Sequence, residues 1–436
     1  MTGRLVKKNC KVNPFSATMA YRKFRADRLF TGHEMAGEDI VLVTNEDGRV
    51  QAVLPAGEAG DEVEQLRGIL SPGFINCHCH LELSHMKGAI PEKTGLVDFL
   101  LSVMRGRSAS TAHTDQGMGG TGQDATDRKL AAIAAAEEEM LHGGILAVGD
   151  ICNTTDSLGQ KKAGNMLYHN FIEAMGFAEN SAADRFNNSL KVFNAFAEAY
   201  SLPIAANSIV PHAPYSVSSR LFGLIAGFPG NHLVTIHNQE SEEENVFYMS
   251  GKGDFPKLYK ALGLDISFFQ GAGKRSLESW LPHFYPNQSL ILVHNVATSE
   301  EDLRFARGWP NLFFCLCPNA NLYISGNLPD IDLLMRKHCP IVLGTDSLAS
   351  NHGLSILEEM RTLQGQFPQL SISTLLQWAT INGARALELD GVLGSFRPGK
   401  QPGVLLLENL EEGSQGGLGL GEGWKLGARA TVRRLI

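Results

Sequence analysis

The chain has 436 residues, 43% of them apolar and 19% charged, with a formal net charge of −8. That is ample material for one large core with a small satellite, and it carries no electrostatic footprint for nucleic acid or an anionic membrane. Seven cysteines, an odd number scattered over a long chain, read as reduced thiols rather than a disulfide framework.

The N-terminal segment MTGRLVKKNCKVNPFSATMAYRK has no continuous apolar stretch of the secretory kind. No apolar run nears the roughly 20 residues that cross a bilayer. A cytoplasmic location is therefore expected. Residues 20–70 contain FRADRLF and DIVLVTNEDGRVQAVL, which predict short antiparallel strands followed by a turn-rich acidic connector. The segment SPGFINCHCHLE (71–82) then reads as a strand. In a strand, residues i and i+2 face the same way, so His78 and His80 converge on one point, as two ligands of one metal ion must.

Between Arg105 and Arg128 large apolar residues almost vanish and Gly, Ser and Thr abound. The stretch is expected to be a mobile surface loop, with an ordered lid as the alternative. From there apolar strands near 144–150, 166–173, 203–210, 233–238, 289–294, 311–317 and 340–345 alternate with helical stretches such as 127–143 and 355–364. With the strand at 70–80 this makes about eight strand–helix units, the pattern of a closed α/β barrel of the (β/α)8 type. An open doubly wound sheet would carry a Gly-rich phosphate turn after its first strand, and CHCHLELSH offers none. Four later segments, IVPHAPYSV, LVTIHNQE, LILVHN and IVLGTDSLASN, each end an apolar run in His, Glu, Asn, Asp or Ser. In such barrels active-site groups sit at the C-terminal strand ends. Residues 392–436 return to the strand-and-turn character of the first 70. The expected division is a barrel over 71–391 with a small β-rich domain formed jointly by 1–70 and 392–436.

The order His-x-His, His-x-x-Glu, His, Thr-Asp-Ser, with SPGFINCHCH, HNQESEEE, VHN, CPNANLYISG and LGTDSLASN in series, resembles the amidohydrolase superfamily in its mononuclear deaminase branch. The resemblance implies that His78, His80, His237 and Asp346 ligate one divalent metal. It implies that Glu240 and His294 are the acid/base group and the group that polarises the attacking water, with Asp346 taking part in proton transfer. Three imidazoles and a carboxylate suit zinc first and iron second. Read blandly, Glu240 only opens a solvated acidic run, ESEEE, and His294 is a satisfied strand-end histidine. Binuclear members use a modified lysine on the fourth strand, and SLPIAANSIVPHA has none. Cys77, Cys79, Cys315 and Cys317 read as small core residues.

Among subgroups, HCHLELS (78–84), FIEAMG (171–176), HAPYSV (212–217) and CPNAN (317–321) most resemble the aminodeoxyfutalosine deaminases. The Pro-x-Glu segment of thiomethyladenosine and guanine deaminases is missing where RGRSAS stands. The expected reaction is hydrolytic deamination of a purine-like small molecule, with 6-amino-6-deoxyfutalosine the lead substrate. Guanine, adenosine-type and other cyclic amidines, or triazine hydrolysis, are the alternatives on the same centre. Glu82 and Glu173 are candidates to accept from a ribose or an exocyclic amine, His212 to donate to a substrate oxygen, and Asn321 and Ser347 to line the pocket. A non-catalytic assembly protein of the same fold would show gaps among the ligands, and none is visible. Neither a nucleic-acid nor a membrane partner is expected, and a homodimer is allowed for.

Overall fold

The computed structural model describes residues 20–112, 122–199, 206–412 and 423–436. The N-terminal 19 residues, read above as carrying no secretory signal, lie outside the described residues.

Eight short parallel strands line up in chain order among the described residues: Phe74–Cys79, Ile145–Cys152, Leu167–Ala174, Ala206–Pro211, Leu233–Asn238, Ser289–His294, Leu312–Leu316 and Ile341–Leu343. The first four pair successively in one sheet and the last four in another. Both seams between the sheets are also bonded. At one, the His237 N–H donates to the carbonyl of His212 at 3.0 Å. At the other, the Thr345 and Asp346 N–H groups both donate to the carbonyl of His78 at 3.0 Å, and Cys79 bridges Asp346 in parallel. The ring is thus closed, as the alternating sequence pattern predicts, and no strand of it is left as an edge.

Burial follows from this arrangement. Every residue of Phe74–Cys79, Ile145–Cys152 and Leu233–Asn238 is buried, because a barrel strand has a filled interior on one face and helices on the other. Cys77, Cys79, Cys315 and Cys317 are free and fully buried within this core. Helices such as Gly122–His142, Ala182–Ala199 and Ile356–Gln366 form the outer layer. The last is capped by Ser355, whose hydroxyl accepts the Glu358 N–H, one of the donors a helix start leaves unpaired.

The expectation of a loop over 105–128 is corrected at both ends. Residues 105–112 continue the helix Leu96–Ala112, and residues 122–128 begin the helix Gly122–His142. Residues 113–121 lie outside the described residues. Polar composition hid the first helix because its apolar half comes early. Leu96, Val97, Phe99 and Leu101 are buried in a separate apolar cluster with Leu83, Tyr215, Phe247 and Tyr259, and helices in proteins owe most of their stability to such packing.

The chain ends meet beside the barrel. Ile69–Ser71 pairs in parallel with Arg28–Leu29 and antiparallel with Leu405–Glu408, which in turn pairs with Thr431–Arg434. Gly68 permits the approach: its φ is +119°, and a Cβ there would sit 2.0 Å from the carbonyl oxygen of Leu407, so no other residue fits. Ile40–Asn45 and Val50–Pro55 form the antiparallel pair expected from DIVLVTNEDGRVQAVL.

Candidate active site and metal centre

The C-terminal ends of the strands carry the polar residues inward. His294 and Asp346 both have left-handed backbones, with φ of 76° and 57°. Non-glycine residues take that conformation at an energetic cost, and such strain gathers at functional sites. Here it turns the chain abruptly at the end of a strand.

Four groups converge. His80 Nε2 lies 3.2 Å from His78 Nε2 and 3.3 Å from His237 Nε2. Asp346 Oδ1 lies 3.6 Å and 3.4 Å from the Nε2 atoms of His78 and His80. Around a tetrahedral ion with bonds of about 2.0–2.1 Å, neighbouring ligand atoms sit about 3.3–3.4 Å apart. The donor set therefore fits a single cation without rearrangement. Burial pushes the pKa values of His80 and His237 well below the ordinary histidine value, which leaves them neutral and able to ligate. His237 Nδ1 donates to the carbonyl of His212 at 2.7 Å, so its Nε2 lone pair faces the cluster. The hydroxyl of Ser350 donates to Asp346 Oδ2 at 2.6 Å, leaving Oδ1 toward the histidines.

Among the described residues a second group, Glu173, His212 and His237, also clusters. It shares His237, whose Nδ1 is already committed to a carbonyl, and so does not make a separate ion site. Lys161, a fully buried lysine, is engaged with Asp150 Oδ2 at 2.5 Å and Asn170 Oδ1 at 2.8 Å.

Glu240 is buried, with Oε1 3.7 Å from His294 Nε2. Burial, then the charges of Asp346 and Glu244, push its pKa well above the ordinary value. His294 Nδ1 faces the Asn321 side-chain amide nitrogen at 3.1 Å. That donor makes Nδ1 the acceptor and puts the ring proton on Nε2, which is buried without a protein partner and close to Glu240. Burial raises Glu173 to about 7. One of its oxygens accepts from Asn153 Nδ2 at 2.8 Å, while the other is buried without a hydrogen-bond partner, 3.8 Å from His237 Nδ1. His212, lowered by burial to about 3, has Nδ1 3.0 Å from the Ser216 hydroxyl, so its other nitrogen is free to face a ligand. Ser347 is buried, its hydroxyl 3.1 Å from that of Ser350.

Glu82, a candidate substrate contact, is held by protein groups. Its Oε2 accepts from the Asn153 and Thr154 N–H groups and the Thr154 hydroxyl, each at 3.0 Å, and its Oε1 pairs with Arg107 at 3.1 Å. Both oxygens are engaged by protein. Sequence reading also missed Arg107, Ser350 and the Asp150–Lys161 pair. Asp150 Oδ1 accepts the Leu81 N–H at 2.8 Å, next to His80. The Arg107–Glu82 and Leu81–Asp150 contacts join separate segments, whereas Ser350 lies only four residues after Asp346.

The family model described as "Amidohydrolase family" matches residues 260–414. An adenosine deaminase of Helicobacter pylori is 28% identical over 330 residues, 74% of this chain and 75% of that protein. An aminodeoxyfutalosine deaminase of Nitratiruptor sp. is 25% identical over 359 residues, 79% of this chain and 80% of the other. The crystal structure of Helicobacter pylori aminofutalosine deaminase in complex with methylthio-coformycin superposes with a TM-score of 0.73 at 22% identity, covering 89% of this chain and 93% of that one. Residues 260–414 thus carry an amidohydrolase family match, and along most of its length the chain is similar in sequence and fold to these deaminases.

Proposed function

We propose that the chain is a metal-dependent hydrolytic deaminase of an adenine-bearing nucleoside, with 6-amino-6-deoxyfutalosine as the lead substrate. The observation that carries this reading is the placement of Glu240 and His294, buried side by side, beside a four-donor cluster spaced for one cation. The relatives named above, both deaminases of adenine-bearing molecules, support it.

His78, His80, His237 and Asp346 would hold one divalent metal, zinc by its donor set, which supplies a nucleophilic water at neutral pH. The other roles belong to side chains. Glu240, protonated because it is buried, gives its proton to the ring nitrogen beside the carbon under attack and takes one back from the new hydroxyl as the carbonyl forms. His294, with its proton on Nε2, donates to the attacking oxygen. Asp346 accepts a proton from the water and passes it to the leaving amine, which departs as ammonia. Glu173 and His212 face the substrate, His212 with Nε2 as an acceptor because its Nδ1 donates to the Ser216 hydroxyl, which itself donates to the Ala213 carbonyl. Glu82 holds the wall behind them.

The test is a panel of 6-amino-6-deoxyfutalosine, adenosine, methylthioadenosine and guanine, scored by ammonia release and by the adenine-to-hypoxanthine absorbance change. Turnover of the first at the highest kcat/KM is the expected result. Preference for another adenine nucleoside would retire the lead substrate and keep the deaminase. No turnover of any amine, with about one metal bound per chain, would overturn the reading.

A further inference from the structure

The acidic run ESEEE looks solvated in sequence, yet its last member is fully buried. Glu244 lies in the first turn of the helix Glu242–Ser250 and is 0% exposed. Its Oε1 accepts the backbone N–H of Gln239 at 2.9 Å and the hydroxyl of Ser276. Gln239 is the residue immediately before Glu240, and its backbone is left-handed, with φ of 46°. Other bonds fix the same residue. Its carbonyl accepts the Ala297 N–H at 2.9 Å. Its side-chain amide donates to Asn245 Oδ1 at 3.1 Å and accepts from the Thr298 hydroxyl at 2.7 Å. The turn that carries Glu240 off the fifth strand is therefore pinned to the helix behind it and to the loop after the sixth strand.

We propose that Glu244 is a positioning residue for Glu240: by accepting the Gln239 N–H it holds the strained turn that aims the Glu240 carboxyl at the substrate ring. The inference rests on the reading of Glu240 as the acid/base group. A left-handed non-glycine residue persists only where its surroundings over-determine it. Here the Glu244 acceptor, the Ala297 donor and the two side-chain bonds are those surroundings. The burial of Glu244 is offset at Oε1, which takes both donors, the backbone N–H of Gln239 and the Ser276 hydroxyl, while Oε2 is buried without a hydrogen-bond partner.

The experiment compares Glu244→Ala, Glu244→Gln and Ser276→Ala in the metal-loaded protein, with 6-amino-6-deoxyfutalosine and adenosine as substrates. Glutamine keeps a carbonyl oxygen that can accept from both the Gln239 N–H and the Ser276 hydroxyl. Glu244→Ala should lower kcat by about 10- to 100-fold, the scale of a misaimed catalytic group, with KM within about 2-fold and metal content unchanged. Glu244→Gln should restore kcat to within about 3-fold of the parent. Ser276→Ala, a milder lesion, should lower kcat a few-fold with the same unchanged KM, and it decides the matter if the alanine variant does not fold. Unaltered kcat in both Glu244→Ala and Ser276→Ala, or a rise in KM alone, overturns the proposal. So does a Glu244→Gln as slow as Glu244→Ala. A Glu240→Gln control that retains full turnover would instead remove the acid/base reading itself.

Discussion

At the scale of single residues, protonation states follow from which polar atoms have partners. His294 is the clearest case, because Asn321 occupies Nδ1 and thereby places the ring proton on Nε2. Asn321→Ala should release that constraint. We expect kcat to fall about 10-fold with metal content intact, measured by steady-state kinetics beside elemental analysis. Glu240→Gln should keep the metal and lose at least about 10²-fold in turnover. Its raised pKa also gives a sign: the acid form is needed, so kcat/KM should decline on the alkaline side and not the acid side as Glu240 ionises. The residual rate of Glu240→Gln should lack that limb. His78, His80, His237, Glu240, His294 and Asp346 were legible in sequence as candidates, because each lies at or just past the C-terminal end of an apolar strand run. The signal was weaker for Asn321, Glu173 and His212, since their partners lie on other strands. The engagement of Glu82 by Arg107 and by the loop after the second strand was illegible, for it depends on a helix that composition disguised.

Among elements, the buried Asp150–Lys161 pair joins the second strand to the helix Leu158–Lys161. Burial would lower the Lys161 pKa, but Asp150 outweighs it and the lysine stays charged. Breaking such a pair strands a charge in the core. Lys161→Met should therefore destabilise the protein by about 3–5 kcal/mol, read as a shift in urea midpoint. Lys161→Met combined with Asp150→Asn should recover part of it. Because Asp150 also holds the Leu81 N–H beside His80, the single variant should bind metal more weakly as well. Strand existence was predictable from β-branched runs bounded by polar residues. Strand limits were less so, as at the eighth strand, expected over 340–345 but paired only over Ile341–Leu343. Beyond Leu343 the chain leaves the ladder for the turn that delivers Asp346.

For the molecule as a whole, a cation held by His78, His80, His237 and Asp346 would couple binding to folding. The four donors come from the first, fifth and eighth strands, so such a cation would recognise only the closed ring. Chelation should lower Tm, and restoring metal should raise it in proportion to the logarithm of free metal concentration. In the metal-free protein stability should be highest between about pH 4.5 and 6.5. The buried histidines, His169 and His212 at about 3 among them, have lowered folded pKa values. Their contribution is full above about 6.5, the unfolded value, and is lost as pH falls. Glu244 and Glu359, raised by burial to about 7 and 8, act oppositely. Their contribution is full below about 4.5 and is lost as pH rises through those values. Urea midpoints at about pH 3, 5.5 and 8 check the dome, and a monotonic trend would contradict it. The ring itself was legible from about eight alternating units. That it closes at Cys79 and Asp346 could not be read, since the two segments are far apart in chain order.

That closure has a consequence for biosynthesis. The carbonyl of His78 waits for the N–H groups of Thr345 and Asp346, and Ile69–Ser71 waits for Leu405–Glu408. A ribosome works from one end, so the first strand and its two histidines leave the exit tunnel long before their neighbours exist. Until then the nascent chain presents a bare apolar strand edge, the surface on which unfinished chains aggregate. Its folding is thus set by these late, long-range pairings and should be slow. Under the proposed metal assignment, a cation would find all four donors only after translation has passed residue 346.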